Sequence, residues 1–209
     1  MTPRPVDPAP TVDGRARRWQ NRRPELLAAA TEYALEVGVS QLTLRPLAEA
    51  IGTSITSLNR QLGSKDDLVR EVCRGLHGAM VDALNNVWES SAGRPVDVLR
   101  GLWALWLTPG YDRQFAFLFE LYGMALRDPE RYEWFEQSVV RDWMTPLSDA
   151  LVSSGRPEAE AQVVSTLVMA VIRGLHLDVA ATHDVARVND AYELTLRLLE
   201  PHLASPAGG

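Results

Sequence analysis

Four histidines, one cysteine and one lysine are the scarce reactive side chains of this 209-residue chain. His77, His176, His183 and His202 show no zinc-protease spacing, and Cys73 lies apart in sequence from three of them. His176 with Asp178, or His183 with Asp184, offers metal-ligand types but not the four ligands of a structural zinc site. A lone cysteine cannot form an internal disulfide, so Cys73 reads as a small buried apolar residue in a reducing compartment. Neither a glycine-rich phosphate loop nor a nucleophile elbow is present. The expectation is no catalytic residue, no metal and no cofactor.

Lys65 is different, because its neighbours explain it. It lies in "TSITSLNRQLGSKDDL", Thr53 to Leu68, in a chain that otherwise uses twenty arginines. Ser64-Lys65-Asp66-Asp67 has the form of a capping box, with Asp67 in place of the usual Glu or Gln. A cation at a helix start opposes the macrodipole, a mild cost that Asp66 and Asp67 offset and that an approaching phosphate would justify.

Upstream, the segment is punctuated for short helices. Leu26, Ala30, Tyr33, Ala34 and Val37 share a face from Pro24 to a stop at Gly38. Thr43 caps a second helix with Leu44, Leu47, Ala48 and Ile51 at helical spacing, Pro46 in its first turn and Gly52 at its end. Ser54 caps a third, Ile55 to Gln61, with Leu58 and Leu62 inward and Gly63 as its stop. Two short helices joined by a tight glycine turn form a helix-turn-helix, whose second helix can enter a major groove about 12 Å wide. A plain helical hairpin would look alike.

Composition is globular, at 46% hydrophobic and 23% charged residues with net charge −6. The charge is uneven: residues 1–70 carry ten basic against eight acidic groups, and 71–209 carry eleven against nineteen. Arg15, Arg17, Arg18, Arg22 and Arg23 crowd into nine positions, a basic arm that reaches DNA or merely solubilises the chain. The proline-rich start lacks a secretory signal, and no apolar run approaches the ~20 residues of a membrane span, so a cytoplasmic protein without membrane contact is expected.

From Pro24 to Leu68 the chain resembles the TetR family of transcriptional regulators: "ELLAAATEYALEVGVSQLTLRPLAEAIG", then a serine-capped recognition helix, then Gly63-Ser64-Lys65 leading into a long helix. The family usually has a tyrosine near the middle of the recognition helix and a His-Phe pair at its end. Here Asn59, Gln61 and Leu62 stand instead. Asn59 can pair with adenine and Arg60 with guanine. The resemblance implies an all-α protein: a disordered segment and basic arm over 1–22, a helix-turn-helix DNA-binding domain over 23–68, a helical effector-binding and dimerisation domain over 69–204, and a disordered tail over 205–209. It implies a homodimeric regulator, a repressor released from operator DNA by a small apolar or amphipathic effector. Arg15, Arg17, Arg18, Thr43, Arg45, Ser54, Thr56, Ser57, Asn59, Arg60 and Lys65 are the candidate DNA contacts. The alternatives are a ligand-sequestering or protein-binding dimer without DNA affinity and, more remotely, an enzyme.

Twelve of the fifteen aromatic residues fall between Trp88 and Trp143, enough to wall an apolar chamber or simply to fill a core. Trp103, Trp106, Phe115, Phe119, Tyr122, Trp134 and Trp143 are the candidate effector contacts, with Glu120 facing either a ligand or water. The helices expected here run past Val87, from Pro95 beyond Trp106, through "QFAFLFELYGMALRD", from Asp128-Pro129 past Trp143 with a kink near Pro146, from Pro157 to Ala180, and from Val188 to a stop at Pro201. Val164, Leu167, Val168, Val171, Leu175 and Leu198 are the candidate dimer contacts, and Arg173 an interface ion-pair residue or an effector anchor.

Overall fold

A computed structural model describes residues 14–91 and 94–204, the side chains of 14–22 excepted. The described residues form ten α-helices and one π-helical turn, with no strand among them. α1 is Gly14–Gln41, α2 Leu44–Ala50, α3 Ile55–Leu62, α4 Lys65–Ser90, α5 Pro95–Trp106, α6 Tyr111–Arg127 and α7 Glu133–Phe135. The π turn Glu136–Arg141 leads into α8, Asp142–Ser153; α9 is Glu158–Thr182 and α10 Val185–Leu203.

Local chemistry sets most of these boundaries. Gly38, at φ 76°, breaks the helical path of α1 at the expected place. Ser54 accepts a hydrogen bond from the Ser57 amide to start α3, and Ser64 and Asp67 complete the reciprocal capping box of α4. Thr43 occupies the cap position of α2 but makes no capping hydrogen bond through its side chain. The backbone of residues 14–22, expected to be an arm, is helical and continuous with α1. The expected disorder of 1–13 and 205–209, and the DNA contacts of Arg15, Arg17 and Arg18, lie outside what is described.

Two expectations in the carboxy-terminal half are corrected. α7 begins at Glu133 rather than at Asp128-Pro129, and its irregularity is the π turn before Trp143, with Pro146 inside α8. Pro146 has no N–H for the Asp142 carbonyl four residues back, and His77 Nε2 donates to that oxygen at 3.2 Å. Nor does Pro201 stop α10, which continues to Leu203. Buried Arg156 holds this terminus, donating to the carbonyls of Pro201 and Ala204 at 2.7 Å each and pairing with Glu160.

The side chains fill two cores. One gathers Ala34, Leu47, Leu58, Leu68 and Val72 of α1 to α4 together with Phe117, Leu118 and Leu121 of α6. The other joins the middle of α4 to α5, α8, α9 and α10. Gly101 lets α5 close on α4, since a Cβ there would come within 2.6 Å of Val87 Cγ1. Trp103 and Tyr192 fasten α5 to α10: their rings stack at 4.4 Å, Trp103 Nε1 donates to Asn189 Oδ1 at 2.7 Å, and Tyr192 donates to the Leu99 carbonyl.

α9 departs from the sequence reading in one respect. An 18-residue stretch of it reaches a mean hydropathy of 1.6, so by length and composition alone it is apolar enough to cross a membrane. Only 33% of that stretch is buried in the protomer. Ala161, Val164, Val168 and Ile172 point inward, while Val163, Leu167 and Leu177 stand 67%, 47% and 55% exposed.

Candidate nucleic-acid interface and ligand chamber

α3 presents two unlike faces. Leu58 and Leu62 are buried at 0% and 3% exposure, so Leu62 fills the core as expected. Ile55, Thr56, Asn59 and Arg60 lie exposed on the other side, and Ser57 is half-buried with its amide spent on the Ser54 cap. Thr43 and Arg45 are exposed at the start of α2. This is the arrangement a reading helix requires: apolar residues fix its rotation, and hydrogen-bonding side chains are left outward. Arg23 steadies the far end of α3 by donating to the Gln61 carbonyl at 3.1 Å.

Lys65 is half-buried beside an ion pair rather than on an open surface. Arg131 holds Asp66 through two hydrogen bonds of 2.8 and 3.0 Å. Desolvation first, and Arg131 second, lower the Lys65 pKa from its ordinary value. Asp66 and Asp67, expected to offset the macrodipole, are thus engaged with Arg131 and Ser64 respectively.

The aromatic residues divide sharply. Trp106 and Trp143 are the common wall of three neighbouring cavities. The largest of these, about 60 Å³, is apolar and also lined by Met80, Leu102, Val168 and Ile172, with Trp88 and Pro95 at its edge. Phe115, Phe119 and Tyr122 line a second space of about 10 Å³ with Arg173. Three expected chamber residues are elsewhere. Trp103 is consumed by the α5–α10 contact. Trp134 packs on the amino-terminal core, with the Arg70 guanidinium 5.5 Å from its ring centre. Glu120 turns away and accepts a hydrogen bond from the Ser40 amide at 2.8 Å, against Gly38, where any Cβ would sit 2.2 Å from its Oε1.

Val164 and Val168, expected at a dimer face, are 5% and 3% exposed and belong to the protomer core; Val168 lines the larger cavity. Val171 and Leu175 are partly buried against the same core. Leu167 and Leu198 are exposed. Sequence reading missed Met80, Leu102, Met169 and Ile172 as cavity walls because an aliphatic lining carries no signal distinguishing it from core. A wider groove of about 450 Å³ runs between α5 and α10, where Arg94 pairs with Asp97 and Arg100 with Asp97 and Glu193.

His176 is 4% exposed among Trp103, Trp106 and Phe115, stacked on the last at 3.7 Å. Burial lowers its pKa to about 4, so it is neutral at pH 7. The same cause pushes the Cys73 thiol up to about 12, leaving no thiolate for chemistry. Among the described residues, no group of three His, Cys, Asp or Glu side chains is placed to hold a metal ion.

Residues 26–72 match the family described as "Bacterial regulatory proteins, tetR family". No curated protein sequence matches the chain. Among solved structures, a transcriptional regulator from Rhodococcus sp. Rha1 is similar at 21% identity and a TM-score of 0.70, over 89% of this chain and 99% of that one. Native NalD, the secondary repressor of the MexAB-OprM multidrug efflux pump in Pseudomonas aeruginosa, is similar at 21% identity and a TM-score of 0.55, over 88% and 95%. At such identities the structures speak for the fold. The matched segment runs from within α1 into α4, so it is the helix-turn-helix region of the chain that is similar to the tetR family of bacterial regulatory proteins.

Proposed function

We propose that the protein is a sequence-specific DNA-binding transcriptional regulator, a homodimeric repressor whose carboxy-terminal helices bind a small effector. The observation that carries this reading is the two-faced α3, seated by Leu58 and Leu62 inside a tetR-family domain and offering Thr56, Asn59 and Arg60 outward. Asn59 and Arg60 are assigned base contacts, with Thr43, Arg45, Ser54, Thr56, Ser57 and Lys65 on the backbone side. Repression is suggested by similarity to NalD, a repressor.

A second copy of the chain is the occupant proposed for the exposed apolar stripe of Val163, Leu167 and Leu177 on α9 with Leu194 and Leu198 on α10. Pairing these helices about a two-fold axis makes a four-helix contact and sets two α3 helices side by side for half-sites about 34–36 Å apart or a multiple of that. Leu167→Glu with Leu198→Glu is expected to give monomers by light scattering. Persistence of the dimer would move the interface elsewhere.

Two helices support coupling between the sites. α4 carries Lys65 at one end and Met80 and Leu84 at the larger cavity, about 22–28 Å further along the rod at 1.5 Å per residue. α6 places Phe115, Phe119 and Tyr122 at the smaller cavity while Glu120 grips the end of α1. An effector that favours one tilt of these helices would alter operator affinity by about 5–150-fold, and operator would alter effector affinity by the same factor. Reciprocal titration tests this: a ligand bound equally by free and DNA-bound protein is not the effector.

A further inference from the structure

The smaller cavity is where the apolar chamber turns polar. Its lining includes Tyr122, Trp143 and Arg173. Tyr122 Oη and Trp143 Nε1 are buried, and neither has a hydrogen-bond partner. Arg173 lies with its guanidinium carbon 5.4 Å from the centre of the Tyr122 ring and donates to the Val139 carbonyl at a long 3.4 Å. Among the described residues no carboxylate stands within ion-pair distance of it. Desolvation lowers the pKa of this guanidinium, with Tyr122 acting in the opposite sense.

The indole N–H and the guanidinium can only donate, and the phenol can donate. Orphaned buried polar groups and an unpaired, largely desolvated cation are costly, and a fold that retains them at one cavity invites a complement. That complement is an acceptor with negative charge. The space, about 10 Å³, is about the size of one water, so a planar head group enters only as the walls move. The larger cavity offers about 60 Å³ of apolar room, below the 300 Å³ or more of ordinary ligand sites, so a ligand has to displace its walls. Trp106, Trp143, Met169 and Ile172 are the partition between the two spaces. Methionine repacks readily, and Trp143 lies two residues beyond the π turn Glu136–Arg141, a local irregularity of the kind that collects at functional sites.

We infer that the ligand of this chamber is an anionic amphipath, its carboxylate received by Arg173, Tyr122 and Trp143 and its apolar body taking the space between Met80, Leu102 and Met169. The inference rests on the effector reading above and adds the chemical class of the ligand. Glu120, which would have argued for a cationic ligand, is occupied at Ser40.

The test is calorimetric titration of the full chain with two matched series below their micellar concentrations: octanoate, octanol and octylammonium, then 2-naphthoate, 2-naphthol and 2-naphthylmethylammonium. The carboxylates are expected to bind about 10- to 100-fold more tightly than the alcohols, as charge-assisted hydrogen bonds imply, and the ammonium compounds no better than the alcohols. Arg173→Gln should abolish the preference, bringing carboxylate affinity down to that of the matched alcohol in the same variant. Because Arg173 has no ion pair to lose, that variant should melt at or above the wild-type temperature. Tyr122→Phe, which keeps the cation, should reduce carboxylate affinity about 2- to 10-fold. Equal binding of acid and alcohol, or a preference that survives Arg173→Gln, overturns the head-group assignment while leaving the chamber in place. Failure of every compound in both series to bind overturns the chamber reading and this inference with it.

Discussion

The amino-terminal helices and the aromatic middle of the chain teach opposite lessons about reading function from sequence. In the first region each boundary is made by residues adjacent in sequence: Gly38 turns α1, Ser54 caps α3, and Ser64 with Asp67 starts α4. Outward and inward residues then follow from helical spacing alone. In the second region the decisive contacts join residues far apart. Trp103 and Trp106 are three positions apart on α5, yet one is fixed by Asn189 and Tyr192 while the other walls the cavities. No local pattern separates them.

The regions are nevertheless not independent, and the largest expected effect comes from breaking their junction. Phe117 of α6 is 1% exposed and packs in the amino-terminal core. Phe117→Ala is expected to cost about 3–5 kcal/mol by chemical denaturation and to destabilise DNA binding and the chamber together. Two separated transitions, with only one shifted, would instead make the halves separate folding units.

A second break uses acid. At pH 7 His176 is neutral in the folded chain and about three-quarters neutral in the unfolded one, so its proton linkage is small there. Its folded pKa of about 4 lies below the unfolded value of about 6.5, so between these values the unfolded chain binds more protons and stability falls as pH falls. The loss is up to about 3 kcal/mol by pH 4. His176→Gln should show a shallower decline in melting temperature from pH 7 to pH 4.5 than the wild type, while DNA affinity at pH 7 stays unchanged. Parallel declines would remove the buried neutral histidine from the account.

The reading helix can be sharpened residue by residue. Asn59→Ala and Arg60→Ala should each relax discrimination at one symmetric pair of operator positions, worth about 1–3 kcal/mol per base pair. Lys65→Ala should weaken all sequences alike and flatten the salt dependence by roughly one unit. The smallest change tests the local logic itself: Ser64→Ala removes the hydroxyl that accepts from the Asp67 amide and donates to the Asp67 carboxylate, and should cost about 1 kcal/mol.

The three helices around the reading head were legible because caps and glycine turns are sequence-local chemistry. Glu120 was not, since its partner is a backbone amide eighty residues away. Val168 was not, since an apolar position on an all-round apolar helix does not say which face meets the protomer core and which is left exposed; burial alone separates it from Leu167. The membrane-like hydropathy of α9 has the same origin, two apolar faces on one helix.

The central claim, that this chain reads DNA as a symmetric pair of α3 helices, is most directly tested by selecting the purified full-length protein against random-sequence duplexes and sequencing what it retains. The account predicts an enriched inverted repeat whose half-site preference changes in Asn59→Ala and Arg60→Ala. Retention without an enriched motif, or a motif indifferent to both substitutions, would contradict it.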